Sequence, residues 1–176
     1  LDAGGIYSVG GTLAINQCTL NQNIAKGAGI FGGSGGAIQA AGGSVTINQS
    51  TITGNLAQDN GSGGGNGGGI DNFNNTTALS LFNSILAGNG ASSNPNIQGF
   101  YTVSGTNLIG GDPLLLPLGN YGGPTLTMPP RTNSPARNAG SDTIAAPPLG
   151  FILAVTNLFP TDQRGQPRSY GAHVDI

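Results

Sequence analysis

The chain has 176 residues, 33 of them Gly, with 36% apolar and only 7% charged residues, no Glu, no Trp and a formal charge of −2. So few long polar side chains exclude a protein of amphipathic helices, and the lack of a basic stripe excludes a nucleic-acid partner. No apolar run approaches the roughly 18 residues of a membrane-spanning helix, and the glycines lack collagen's period of three.

Taken in chain order, the sequence repeats itself. Ala3-Gly-Gly-Ile6, Gly35-Gly-Ala-Ile38 and Gly67-Gly-Gly-Ile70 share a Gly-rich phrase ending in Ile, two steps of 32 residues. Each copy continues with the same phrase: Leu13-Ala-Ile15, Cys18-Thr-Leu20 and Asn23, then Val45-Thr-Ile47, Ser50-Thr-Ile52 and Asn55. The third reads Leu79-Ser-Leu81, Ser84-Ile-Leu86 and Asn89, displaced by 34, so only a turn has grown. Apolar residues alternate inside each phrase, which predicts strands. Three short strands per copy wrap once round a narrow core, and successive copies stack in parallel about 4.8 Å apart. Like then sits above like. Ile, Leu and Val form internal ladders, each side chain contributing roughly 1.5–3 kcal/mol on burial. Asn23, Asn55 and Asn89 form an amide ladder at a bend, and Cys18, Ser50 and Ser84 are small inward fillers.

The glycine pairs Gly4-Gly5, Gly35-Gly36 and Gly68-Gly69 are expected to permit the turn before each strand. Stretches 27–35 and 60–68 read as protruding loops, with Gly29-Ile30-Phe31 an incipient strand edge. Ile97, Phe100, Tyr101 and Val103 predict a further, wider coil ending near Asn107-Leu-Ile-Gly110. From Asp112 onward prolines accumulate, and Pro cannot serve a central strand. The expected organisation is therefore coils over 1–110 and a turn-rich, Pro-containing closing region over 111–176, with short strands at Thr125-Leu-Thr127 and Phe151–Val155. Its expected role is to cover the C-terminal end of the stack.

Candidate chemistry is sparse. The carboxylates are Asp2, Asp59, Asp71, Asp112, Asp142, Asp162 and Asp175. Asp71 lies on a strand, but Gln39 and Tyr7 occupy its phase one and two coils back, so no acidic stack is expected there. Lys26 is isolated. Asp162, Arg164 and Arg168 form the densest charged cluster, read as a tie from the C-terminal segment to the last coil, or else as a glycan or carboxylate clamp. His173 has no metal-type neighbour in sequence, no spacing resembles a zinc site, and no cofactor, metal or catalytic residue is expected. Tyr7, Phe31, Phe73 and Phe82 are the candidate aromatics for a glycan groove. Thr12 and Thr46 read as one phase followed by Ala78, and Thr19 and Thr51 are followed by Ile85, too broken for a crystal-surface array. Asn48-Gln-Ser50 and Asn75-Thr-Thr77 are glycosylation sequons. The chain enters straight into a repeat, as expected of a processed chain or a fragment.

The ordered series Ser50-Thr-Ile-Thr-Gly-Asn55, Asn107-Leu-Ile-Gly110, Asp112-Pro-Leu, Leu118-Gly-Asn-Tyr-Gly-Gly-Pro-Thr-Leu126, Ser134-Pro-Ala-Arg-Asn-Ala-Gly140 and Asp162-Gln-Arg-Gly165 resembles the choice-of-anchor Q group of bacterial surface proteins. Arg137 and Asn138 stand where that family's segment carries Ile and Asp. The resemblance implies a parallel β-helix that is exported and surface-associated. The combined expectation is an all-β, right-handed parallel β-helix (β-solenoid) acting as a non-catalytic extracellular or cell-surface structural or adhesive protein. It would associate with itself, end to end, or with other surface proteins. The alternative is a polysaccharide-binding module, or a lyase- or hydrolase-like β-helix enzyme.

Overall fold

The computed structural model describes residues 3–27, 32–59, 61, 64–142, 161–167 and 173–176. The expectations for Gly29-Ile30-Phe31, Phe151–Val155, Asp2 and Arg168 lie outside them. The first coil comprises β1 (Ile6–Val9), β2 (Thr12–Asn16), β3 (Thr19–Asn21) and β4 (Ile24–Lys26). The second comprises β5 (Ile38–Ala41), β6 (Ser44–Asn48), β7 (Thr51–Thr53) and β8 (Leu56–Gln58). The third has β9 (Ile70–Asn72), β10 (Ala78–Phe82) and β11 (Ile85–Ala87), and the fourth β12 (Ile97–Gln98), β13 (Thr102–Ser104) and β14 (Leu108–Ile109). Strands of successive coils pair in parallel as β1-β5-β9-β12, β2-β6-β10-β13, β3-β7-β11-β14 and β4-β8. The chain is a right-handed parallel β-helix.

Register follows the repeat. Ile6 pairs with Ile38 and Ile38 with Ile70; Ile15 pairs with Ile47, and Leu20 with Ile52. Ile38, Val45, Ile47, Ile52, Ile70, Leu81 and Leu86 are fully enclosed in one continuous core. The two extra residues of the third coil fall in a 3-10 turn at Phe73–Asn75, inserted between β9 and β10. Three expectations need correction. The first two coils have a fourth strand, β4 and β8, which the sequence hid because the inward Ala25 and Ala57 are too small to give an apolar alternation. The last coil is narrower, not wider: it advances 22 residues from Ser80 to Thr102 and 23 from Ser84 to Asn107. Parts of the Gly-rich stretches also stack rather than protrude, with Ser34 bridging Asn66, and Asn66 bridging Ser93.

Thr46, moreover, pairs with Ala14 and Ser80; the residue stacked on Thr12 is Ser44. The hydroxyl expected from Thr46 beside Thr12 is displaced by two residues of register. Asn48 of the first sequon is fully buried, whereas Asn75 of the second is exposed.

Two columns let the chain bend and cross. Gln17, Gln49, Asn83 and Gly105 follow β2, β6, β10 and β13 and all adopt positive φ, at 49°, 48°, 42° and 64°. A left-handed residue there turns every coil in the same way. Gly4, Gly36 and Gly68 work differently from expectation, by close approach rather than by turning. A Cβ on Gly36 would lie 2.1 Å from the Gly68 carbonyl oxygen and 2.7 Å from the Leu56 backbone. Gly36→Ala is therefore expected to destabilise by more than the ~1–3 kcal/mol typical of an overpacked site, because both obstacles are backbone. Urea unfolding of the two proteins measures it.

The bend ladders are hydrogen-bonded throughout. Asn23 Nδ2 donates to Asn55 Oδ1 (2.9 Å), Asn55 Nδ2 to Asn89 Oδ1 (3.0 Å) and Asn89 Nδ2 to Asn96 Oδ1 (3.1 Å). The backbone N–H of Asn23 and of Asn55 each donates to the side-chain oxygen one coil on. The inward hydroxyls form a second ladder: Cys18 N donates to Ser50 Oγ, Ser50 N to Ser84 Oγ and Ser84 N to Asn107 Oδ1, at 3.1, 3.2 and 2.9 Å. The expected fillers are thus also ties between coils. Replacing Asn55 by Ala strands partners in two neighbouring coils, and each buried orphan costs about 1–3 kcal/mol. The variant should lose on the order of 3–5 kcal/mol in equilibrium unfolding; a loss below about 1 kcal/mol would show that the ladder carries little.

Candidate functional site

The outer face of the third sheet carries Thr19, Thr51, Ile85 and Leu108 in one column. Ile85 is buried although it points away from the main core. It packs with Ala87 and Ala136 in a second apolar cluster, against which Leu108, Leu115 and Ile176 rest. The C-terminal segment is therefore laid along the flank of the helix. It was expected over the C-terminal end of the stack, yet the rung there leaves Val103 56% exposed. The segment runs back as far as the first coil. Thr19 Oγ1 donates to Gln163 Oε1 (2.9 Å), Gln163 Nε2 donates to Thr125 Oγ1 (2.8 Å), and Gln17 Nε2 donates to the Thr161 carbonyl. Thr127 forms an antiparallel bridge with Gly119 instead of the short strand predicted at Thr125-Leu-Thr127.

The charged cluster is local. Arg164 reaches Asp162 Oδ2 through Nε (2.7 Å) and Nη2 (2.5 Å), and Asp162 Oδ1 accepts the backbone N–H groups of Arg164 and Gln166. This clamps a tight turn, which docks on the first coil rather than the last. A cleft of about 110 Å³ opens between this turn, Met128-Pro129-Pro130 and the flank residues Cys18, Thr19, Gln49 and Ile85. Its polar walls were not foreseen, because nothing in a repeat announces where a non-repeating segment will dock. The isoleucine that interrupts the Thr19–Thr51 column was the available signal.

Of the remaining ionisable groups, Asp175 lines the same cleft, and the others described lie outside its lining. Asp71 is buried on β9, where Gln39 Nε2 donates to its Oδ2 (3.2 Å). Desolvation pushes its carboxyl above the ordinary 3.8, and the Gln39 hydrogen bond draws it partly back. Asp142 is held below the usual range by His173 Nδ1 at 2.7 Å and by the Val174 N–H. His173 thus has a carboxylate partner, and the two help fasten 173–176 to the segment at 136–142, where Gly140 N donates to Val174 O and Ile176 N to Ala136 O. Lys26 ends β4, exposed. Tyr7 is exposed on β1, Phe73 sits on the 3-10 turn and Phe82 is buried on β10, so these three are not brought into one groove. The exposed aromatics of the last coil are Phe100 and Tyr101, at 77% and 43%. Among the described residues, no three His, Cys, Asp or Glu side chains come together as a metal set would require.

In comparison with known proteins, no family model, no curated protein and no solved structure matches the chain. The likeness carried by the motifs extends to a repeat-built β-helix in general.

A raised pKa means that folding disfavours the charged form of Asp71 relative to the unfolded chain. Its contribution to stability is fully present below pH 3.8 and is lost as pH rises through the folded value. Asp71→Asn should therefore gain stability relative to the parent at pH 7 and gain less at pH 3. Denaturant unfolding at both pH values checks this, and an equal difference at the two would refute it.

Proposed function

We propose that the chain is a non-catalytic structural scaffold, an exported β-helical rod that works at a cell surface or outside the cell. The observation that carries this reading is how the carboxylates are used. Each one among the described residues accepts a hydrogen bond that shapes the fold. Asp59 accepts from Gly61 N and Ser92 Oγ, Asp71 from Gln39, Asp112 from Leu114 N, and Asp175 from Asn138 N. Asp142 and Asp162 hold the C-terminal ties already described. A glycoside hydrolase needs two carboxyls about 5–9.5 Å apart and free to move protons. Here each described acid is engaged, and the two that line the flank cleft, Asp162 and Asp175, accept backbone N–H groups that hold the C-terminal segment. The motif series Asn107-Leu-Ile-Gly110 through Asp162-Gln-Arg-Gly165, similar to bacterial surface proteins, supports the location outside the cell.

In this reading the rod extends by self-association through the rung formed by β12, β13 and β14. Val103 continues the inward column Ile15–Ile47–Leu81, yet it is half uncovered, beside exposed Phe100 and Tyr101. A coil from a second copy, added in parallel, would extend all three sheets and cover that column. Sedimentation velocity across rising concentration should show oligomers that Val103→Lys suppresses. A strictly monomeric parent would defeat the assembly part of the proposal. The non-catalytic part has its own assay: release of reducing ends or of unsaturated uronates from a panel of polysaccharides is expected to stay at the blank, and turnover abolished by Asp162→Asn would overturn it.

A further inference from the structure

The ladders that tie the coils together have a direction. In the bend ladder each amide passes an N–H toward the C-terminal end: Asn23 Nδ2 to Asn55, Asn55 Nδ2 to Asn89, and Asn89 Nδ2 to Asn96. The serine ladder runs the same way, from Cys18 through Ser50 and Ser84 to Asn107. A directed series ends differently at its two ends. Among the described residues, Asn96 Nδ2 in the last coil has no acceptor and Asn23 Oδ1 in the first has no donor, and neither atom is enclosed. One end of the rod therefore offers a donor, the tail, and the other an acceptor, the head.

The apolar columns end in a matching way. Ile6–Ile38–Ile70–Ile97, Ile15–Ile47–Leu81–Val103 and Leu20–Ile52–Leu86–Ile109 each run through all four coils. Their middle members are fully enclosed, whereas Ile6, Leu20, Ile97 and Ile109 are half-buried and Val103 is exposed. With the first coil of a second copy set on β12, β13 and β14, Ile6 meets Ile97, Ile15 meets Val103 and Leu20 meets Ile109. That is the register the chain already uses between its own coils. The same step carries the amide ladder on, with Asn96 Nδ2 as donor and Asn23 Oδ1 as acceptor. Only this order keeps the strands parallel; two tails face to face would reverse one set of strands and put donor against donor. We infer that copies join head to tail, the β1–β4 coil of one seated on the β12–β14 coil of its neighbour. This rests on the self-association proposed above and adds the face and the sense of the contact. Each addition leaves one head and one tail open, so the contact is heterologous and growth continues as a filament.

Val103→Lys separates the alternative contacts, because it charges the tail at an exposed position and leaves the head intact. Sedimentation velocity of the 176-residue chain should show species that lengthen with concentration. The variant alone should stay monomeric. A fluorescent form of it should nevertheless sediment with the parent's assemblies and shorten them, since its head binds a parent tail and its own tail receives nothing. Asn96→Asp is the second probe. Its carboxylate still accepts from Asn89 Nδ2 but no longer donates, and it should weaken assembly about tenfold. An assembling parent whose Val103→Lys variant dimerises alone has a head-to-head contact, and one that excludes the variant joins by other faces. Either result overturns the head-to-tail inference and leaves self-association standing. Assembly unchanged by Asn96→Asp would also overturn it. A parent that stays monomeric removes the self-association reading and this inference together.

Discussion

Everything in this molecule depends on one coil meeting the hydrogen-bonding needs of the next. The interior is narrow, so polar bends are drawn inside together with the apolar ladders, and buried polar groups must be paired. Asn23, Asn55, Asn89 and Asn96 satisfy this by handing an amide bond from rung to rung, and Ser50, Ser84 and Asn107 do the same beside them. Stacking in register is the one arrangement in which each acceptor lies above its donor. A slip of a single residue would turn the Ile and Leu columns outward and break both ladders at once.

The repeat made much of this legible. Phases that recur at 32 and 34 residues locate the inward Ile, Val and Leu, the Asn bend and the two-residue growth of the third turn, because stacking converts a sequence period directly into a spatial column. Legibility fails where the period carries no contrast. Ala25 and Ala57 are inward but small, and so β4 and β8 leave no alternation to read. It also fails where a contact is made once: no rule of periodicity places Gln163 on Thr19 or Arg164 beside Gly123. Burial of Asp71 was likewise hidden, since its strand position was evident but what covers it was not.

The idea of a closing region needs a different picture from a cap. A cap would shield the unpaired strands of the last coil. The described parts of the segment after β14 instead seal the outer face of the third sheet, where Ile85 breaks a column of threonines and provides an apolar seat. The charged turn at Asp162–Gln166 is then part of the strap's own stiffness, and the polar cleft beneath it follows from laying an irregular chain across a regular wall.

The reach of that strap has a mechanical consequence. A solenoid held only by neighbour contacts loses its outermost coil first, since each rung depends on the adjacent one. Here Thr19 and Gln163, 144 positions apart, join the first coil to the last part of the chain. Opening of that coil must undo the strap as well as a rung, and the strap can seat only after the intervening coils are in place. The link turns a sequential stack, which would otherwise melt like an unzipping ladder, toward a single cooperative unit whose final folding step is a long-range closure.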